Sequence, residues 1–125
     1  MAKKNRPKHL DLTKIRLPLP AIVSILHRVT GVMIFATLPV LLYLLQSSLA
    51  SGEAFETYKQ IIAIPVVKLF LFVLLWGYTH HLCAGVRFLL LDLHKGVYLP
   101  QARASARVVF FVSIPLAIVL GAWLW

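Results

Sequence analysis

The chain reads as an all-α integral membrane protein with three transmembrane helices, and three observations predict this. First, 60% of its 125 residues are hydrophobic and only 14% are charged, against about 45–50% and about 25% in soluble domains. Second, three spans of roughly 20 residues need about 60 apolar residues, and 60% of 125 supplies 75. Third, the charge comes in blocks. Of the 13 Lys and Arg, seven lie between Lys3 and Arg28, four lie between Arg87 and Arg107, and Lys59 and Lys68 complete the set. Basic-rich segments alternating with basic-poor ones follow the positive-inside rule. The net charge of +9 therefore orients the chain in a lipid bilayer. A nucleic-acid surface would need these segments to converge on one soluble face, which makes it the weakest function class. A soluble enzyme core is disfavoured by the same composition.

Residues 1–125 form a single membrane domain. Residues 1–20 are a basic segment bearing Pro7, Pro18 and Pro20. A cleavable secretory signal has an apolar region of only about 7–15 residues, and the apolar run from Ala21 is far longer. A mitochondrial transit peptide is rich in Ser and Arg, whereas this segment is mostly Lys and has no Ser before Ser24. A bacterial inner-membrane location with a cytoplasmic N-terminus is the reading that fits.

The first span covers about residues 21–49, with Pro39 inside it, tolerated in a membrane helix when neighbours satisfy the freed backbone. A polar loop, residues 50–60, carries Gly52, Glu53 and Glu56. The second span covers about 61–93, and its 18 residues from Leu69 to Val86 include no Lys, Arg, Asp or Glu. A basic connection, residues 92–107, has Gly96 and Pro100 as helix breakers. The third span, residues 108–125, is uncharged, and Trp123 and Trp125 suit an interfacial anchor. Three spans place the N-terminus and the second connection on the cytoplasmic side, and the Glu53 loop and the C-terminus on the other.

Ionisable groups inside a span are costly, so each is a functional-site hypothesis. Two clusters stand out. In Ser24-Ile25-Leu26-His27-Arg28-Val29-Thr30-Gly31, the residues Ser24, His27, Arg28 and Gly31 fall at i, i+3, i+4 and i+7, one helix face. Gly31 leaves room there for a helix or a flat ligand. In His80-His81-Leu82-Cys83-Ala84-Gly85-Val86-Arg87, His81 and Gly85 are one turn apart. Neutral imidazole ligates iron, copper or zinc, and a porphyrin needs a gap beside its ligating His.

Taken singly, each residue has a plainer reading. Arg28 can be a snorkelling interfacial arginine, Ser24 can bond back to its own helix carbonyl, and His27 or His81 can be a packed, hydrogen-bonded side chain. His80 and His81 point about 100° apart on a helix turning 3.6 residues per turn, so usually only one faces a given site. Cys83 reads as a small hydrophobe. Co-location on antiparallel neighbours is what raises the clusters above these readings.

At about 1.5 Å per residue, His27 lies roughly 9 Å below Ala21 and His81 roughly 18 Å below Leu93. Axial ligands of one haem iron share a depth, so His27 is a poor partner for His81 at such an iron and is better placed, with Arg28, near haem propionates. The second ligand then comes from another chain, which makes the three spans part of a hetero-oligomeric helical bundle. Ser24 and Arg28 also suit a quinone: a donor for its carbonyl, and a cation for the charge that develops on reduction.

These residues resemble the cytochrome b membrane-anchor subunit of succinate dehydrogenase, respiratory complex II. The matching stretches are Arg6-Pro7 with His9-Leu10-Asp11-Leu12, the octapeptide from Ser24 to Gly31, and His81 with Gly85-Val86-Arg87 and Asp92. The resemblance implies His81 as an axial ligand of haem b, with the other supplied by a smaller anchor subunit. It implies Ser24 and Arg28 at the ubiquinone site and His27 at a haem propionate. An iron–sulfur subunit and a flavoprotein subunit would sit on the cytoplasmic face, passing electrons from succinate to ubiquinone. One departure is Phe88, where members close to this pattern often carry His; Phe neither bonds a propionate nor carries a proton. Asp92 reads as a helix-end carboxylate paired with Arg87 or Lys95, or else as a proton feed to the quinone. Two other readings stay open. One is a fumarate reductase anchor running the chemistry backwards. The other is a non-redox transporter or assembly subunit, which predicts no chromophore.

Overall fold

The computed structural model describes residues 15–125. Arg6-Pro7, His9–Leu12 and most of the basic segment 1–20 lie outside the described residues. Four helices follow in order: α1 Leu19–Ser48, α2 Gly52–Ala63, α3 Pro65–Asp92 and α4 Leu99–Leu124. Three of them, α1, α3 and α4 at 30, 28 and 26 residues, are long and apolar enough to cross a membrane. At about 1.5 Å per residue they run roughly 39–45 Å, more than the roughly 30 Å hydrocarbon layer.

Proline sets most of the boundaries. Pro18 caps α1 in an extended conformation with Pro20 in the first turn. Ile64, which precedes Pro65, is extended (φ −64°, ψ 127°) and separates α2 from α3, because the proline ring disfavours helical geometry in the residue before it. Residues 61–63 therefore belong to α2 and not to the second span. The predicted polar loop 50–60 is mostly helical. The Ser51 hydroxyl accepts from the Ala54 amide at 3.1 Å, and Glu53 stands in the first turn, where its charge complements the helix dipole.

The predicted third span also starts earlier. Pro100 opens α4 in its first turn, the position where its missing N–H costs nothing, so the connection shortens to residues 93–98. That turn is closed by the Lys95 amide on the Leu90 carbonyl at 3.0 Å and the His94 amide on the Leu91 carbonyl at 2.9 Å. His94 holds the left-handed conformation (φ 59°) that this cap requires.

Helix α3 is central and packs against both α1 and α4. Its contacts use small residues, which let membrane helices approach closely. Ala84, Ala106, Val109 and Val23 form a buried cluster against which Cys83 and Phe88 pack. A Cβ on Gly121 would lie 3.0 Å from the Phe72 ring. Between α3 and α4, the Thr79 hydroxyl donates to the Ser113 carbonyl at 3.0 Å. Buried Arg87 donates to the Ser105 hydroxyl at 2.9 Å and the Ala102 carbonyl at 3.3 Å. Large apolar side chains point outward instead: Phe35, Phe111 and Trp123 are 78%, 77% and 81% exposed. Such a surface is stable against lipid or partner helices, not against water.

Candidate functional site

The site lies where α1 and α3 cross, near the basic end of the bundle. The helix turn that carries Ser24, His27, Arg28 and Gly31 on one face of α1 meets the turn that carries His81 and Gly85 on α3. The two imidazoles stack, with ring centroids 4.0 Å apart and planes 10° from parallel. Each histidine also sits over a glycine of the facing helix. A Cβ on Gly31 would come within 2.9 Å of His81 Cε1, and one on Gly85 within 3.5 Å of His27 Nε2. The two glycines admit the two rings.

This stacking corrects the depth argument. His81 does not lie well below the level of His27, because the helix ends used as depth marks are not level. Counted from the observed ends, His27 is eight residues from Leu19 and His81 eleven from Asp92, about 12 and 16 Å of rise. The space expected beside His81 at Gly85 is corrected too, since the His27 ring lies over that glycine.

His81 Nδ1 is 3.0 Å from the His27 carbonyl oxygen and 3.4 Å from the Thr30 hydroxyl. A carbonyl only accepts, so this contact calls for a proton on Nδ1, and in the neutral ring that tautomer presents its lone pair at Nε2. A hydrogen-bonded Nδ1 with a free Nε2 is the arrangement by which protein imidazoles ligate metals. Phe88 meets the His27 ring edge-on at 5.1 Å. The position where a polar role was in doubt thus packs against the histidine pair. Ser24 is half-buried and Arg28 exposed, one turn apart.

Among the described residues, no three His, Cys, Asp or Glu side chains converge on one point. A bare metal ion would find too few ligands, whereas a haem iron draws its equatorial ligands from the porphyrin and asks the protein for one or two. The expected pairing of Asp92 with Arg87 or Lys95 is not formed, because Arg87 is committed to Ser105 and Ala102 on α4. The ion pair found among the described residues joins Lys59 and Glu56 at 2.8 Å.

His80 faces away from the His27–His81 pair, toward Trp76 and Phe110. It is fully buried, 5.5 Å from the Trp76 ring and 5.2 Å from the Phe110 ring, with no partner for either ring nitrogen. Nothing in the one-dimensional pattern distinguishes such a buried polar group from an interfacial one. A cavity of about 590 Å³ on the other flank of α3, lined by Cys83, Arg87, Ser105 and Val109 among others, contains none of the predicted site residues.

The chain is similar to known proteins over most of its length. The family model described as succinate dehydrogenase/fumarate reductase transmembrane subunit matches residues 2–120. The chain is 39% identical over 121 residues to the succinate dehydrogenase cytochrome b556 subunit of Coxiella burnetii, covering 96% of this chain and 97% of that protein. The subunit of the same name from Paracoccus denitrificans is 32% identical over 114 residues, covering 91% and 88%. That from Rickettsia prowazekii is 29% identical over 115 residues, covering 92% and 90%.

Proposed function

This chain belongs to the succinate dehydrogenase/fumarate reductase transmembrane subunit family, and from that premise we propose that it co-ligates haem b and helps form a ubiquinone-reduction site, anchoring a succinate dehydrogenase in a bacterial inner membrane. The carrying observation is the His81 imidazole: it sits within a membrane-crossing helix with its Nδ1 bonded to the His27 carbonyl at 3.0 Å, so that Nε2 is the ring nitrogen left to ligate. The donor set fits haem. When bound, haem supplies a one-electron carrier beside the quinone.

The remaining roles belong to the protein. The His27 carbonyl holds the His81 tautomer that leaves Nε2 as the ligating atom. The His27 ring, stacked on His81 at 4.0 Å, would pack beside the His81 ligand rather than hold the iron itself. The second ligand therefore comes from a second small anchor subunit. The His27 ring remains available to a haem propionate. Arg28, exposed at the basic end, supplies the cation that offsets propionate or semi-reduced quinone charge, and Ser24 supplies a hydroxyl donor to a quinone carbonyl.

The basic blocks orient the N-terminus to the cytoplasm, where an iron–sulfur subunit and a flavoprotein subunit would dock. The family description names both directions of the chemistry, while the relatives carry the succinate dehydrogenase name, which favours succinate oxidation. The test is to purify the complex from membranes with and without this chain. The reading expects a b-type haem band and succinate-dependent ubiquinone reduction, both requiring the chain. Their persistence without it would overturn the reading.

A further inference from the structure

We propose that Thr30 is a positioning residue for the His81 imidazole, its hydroxyl acting as a second acceptor for the Nδ1 proton and so strengthening Nε2 as an electron donor. The inference rests on the reading of His81 as an axial haem ligand, and it concerns what sets that ligand's strength.

Thr30 is 3% exposed, and its hydroxyl lies 2.7 Å from the Leu26 carbonyl and 3.1 Å from the His27 carbonyl. Back-bonding of this kind is ordinary for a helical threonine. The contact beyond the ordinary is the third one, to His81 Nδ1 at 3.4 Å, from a residue 51 positions away. A hydroxyl has one proton, and the shorter bond claims it for Leu26. The oxygen then meets His81 with a lone pair. His81 Nδ1–H thus faces two acceptors, the His27 carbonyl at 3.0 Å and the Thr30 oxygen. The Thr30 methyl packs toward Gly77, where a Cβ would lie 3.6 Å from it. That packing holds the rotamer, and burial keeps water from replacing the hydroxyl.

The chemistry follows from the ring. Acceptors on Nδ1–H draw its proton outward and give the imidazole more anionic character, which makes Nε2 the more basic ligand. A more basic axial ligand favours oxidised iron, and hydrogen bonding around the ligand is one of the protein's means of setting a haem potential. Removing the Thr30 oxygen should therefore favour the reduced form.

The experiment is a potentiometric titration of the b-type band in the complex purified from membranes, comparing wild type, Thr30→Val, Thr30→Ser and His81→Ala. Valine keeps the shape and loses the oxygen; serine keeps the oxygen. Thr30→Val is expected to shift the oxidised-to-reduced equilibrium about two- to fivefold toward reduced, roughly 20–40 mV upward at 59 mV per tenfold. Thr30→Ser stays at the wild-type value. Equal potentials for all three haem-bearing forms, or equal shifts for valine and serine, would overturn the proposal. If Thr30→Val loses its haem, haem retained by Thr30→Ser supports a hydroxyl-dependent hold, and haem lost from both overturns it. His81→Ala separates the two layers. A band left unchanged by His81→Ala removes the ligand reading and this proposal with it, whereas a lost or shifted band beside an unmoved Thr30→Val potential removes this proposal alone.

Discussion

Gly31→Ala isolates the haem site from the stability of the chain. In the helix the substitution is favourable by itself, since Ala exceeds Gly by about 1 kcal/mol in a helix interior. The new Cβ, however, would lie 2.9 Å from His81 Cε1, and ordinary contact begins at 3.4 Å. The His81 ring must yield about 0.5 Å, the difference between those two distances. It is held by the 3.0 Å bond to the His27 carbonyl, and a displacement of that size can take the bond toward 3.5 Å, where it is much weakened. Losing it costs about 1 kcal/mol directly, and disturbing a partner that orients a ligand typically costs 10–100-fold in affinity. Gly85→Ala is the control, because its Cβ would meet His27 Nε2 at 3.5 Å, within ordinary contact. The assay is haem per complex at fixed complex yield. Gly31→Ala should assemble normally yet hold haem at least about tenfold more weakly, with Gly85→Ala near wild type. Full haem occupancy and an unaltered spectrum in Gly31→Ala would refute the packing argument.

Two further outcomes follow from the same geometry. Arg28→Leu should lower quinone turnover or raise the quinone KM by roughly 10–100-fold, the worth of one charge-assisted bond, while leaving the b-type band in place; steady-state kinetics with a spectrum on the same sample checks it. Arg87→Leu should lower thermal stability by about 1–3 kcal/mol by removing the two bonds that tie α3 to the Ser105 hydroxyl and Ala102 carbonyl of α4. A detergent melt showing no loss would mean those bonds contribute nothing.

The three membrane-crossing helices were legible because a bilayer imposes length and apolarity directly on the sequence. Which residues share a face was legible from helical spacing, and the octapeptide from Ser24 to Gly31 with His81 proved to be one meeting point. The helical character of residues 52–63 is written in Ser51 three residues before Ala54, Glu53 in the first turn, and apolar Phe55, Tyr58, Ile61 and Ile62 on helical spacing. The Ile64 break and the early start of α4 were likewise written in Pro65 and Pro100, which open helices here rather than end them. The relative level of His27 and His81 was not legible. It depends on how far one helix slides along another, and that is set by contacts such as Gly31 under His81, which counting rise along each helix separately cannot see. The full burial of His80 has the same origin, since it needs α1 and α4 both in place.

The most direct test of the central claim is the dithionite-reduced minus oxidised optical spectrum of the purified complex, wild type against His81→Ala. The account predicts a sharp b-type band in the wild type that disappears or shifts in the variant. An unchanged band in His81→Ala would contradict it.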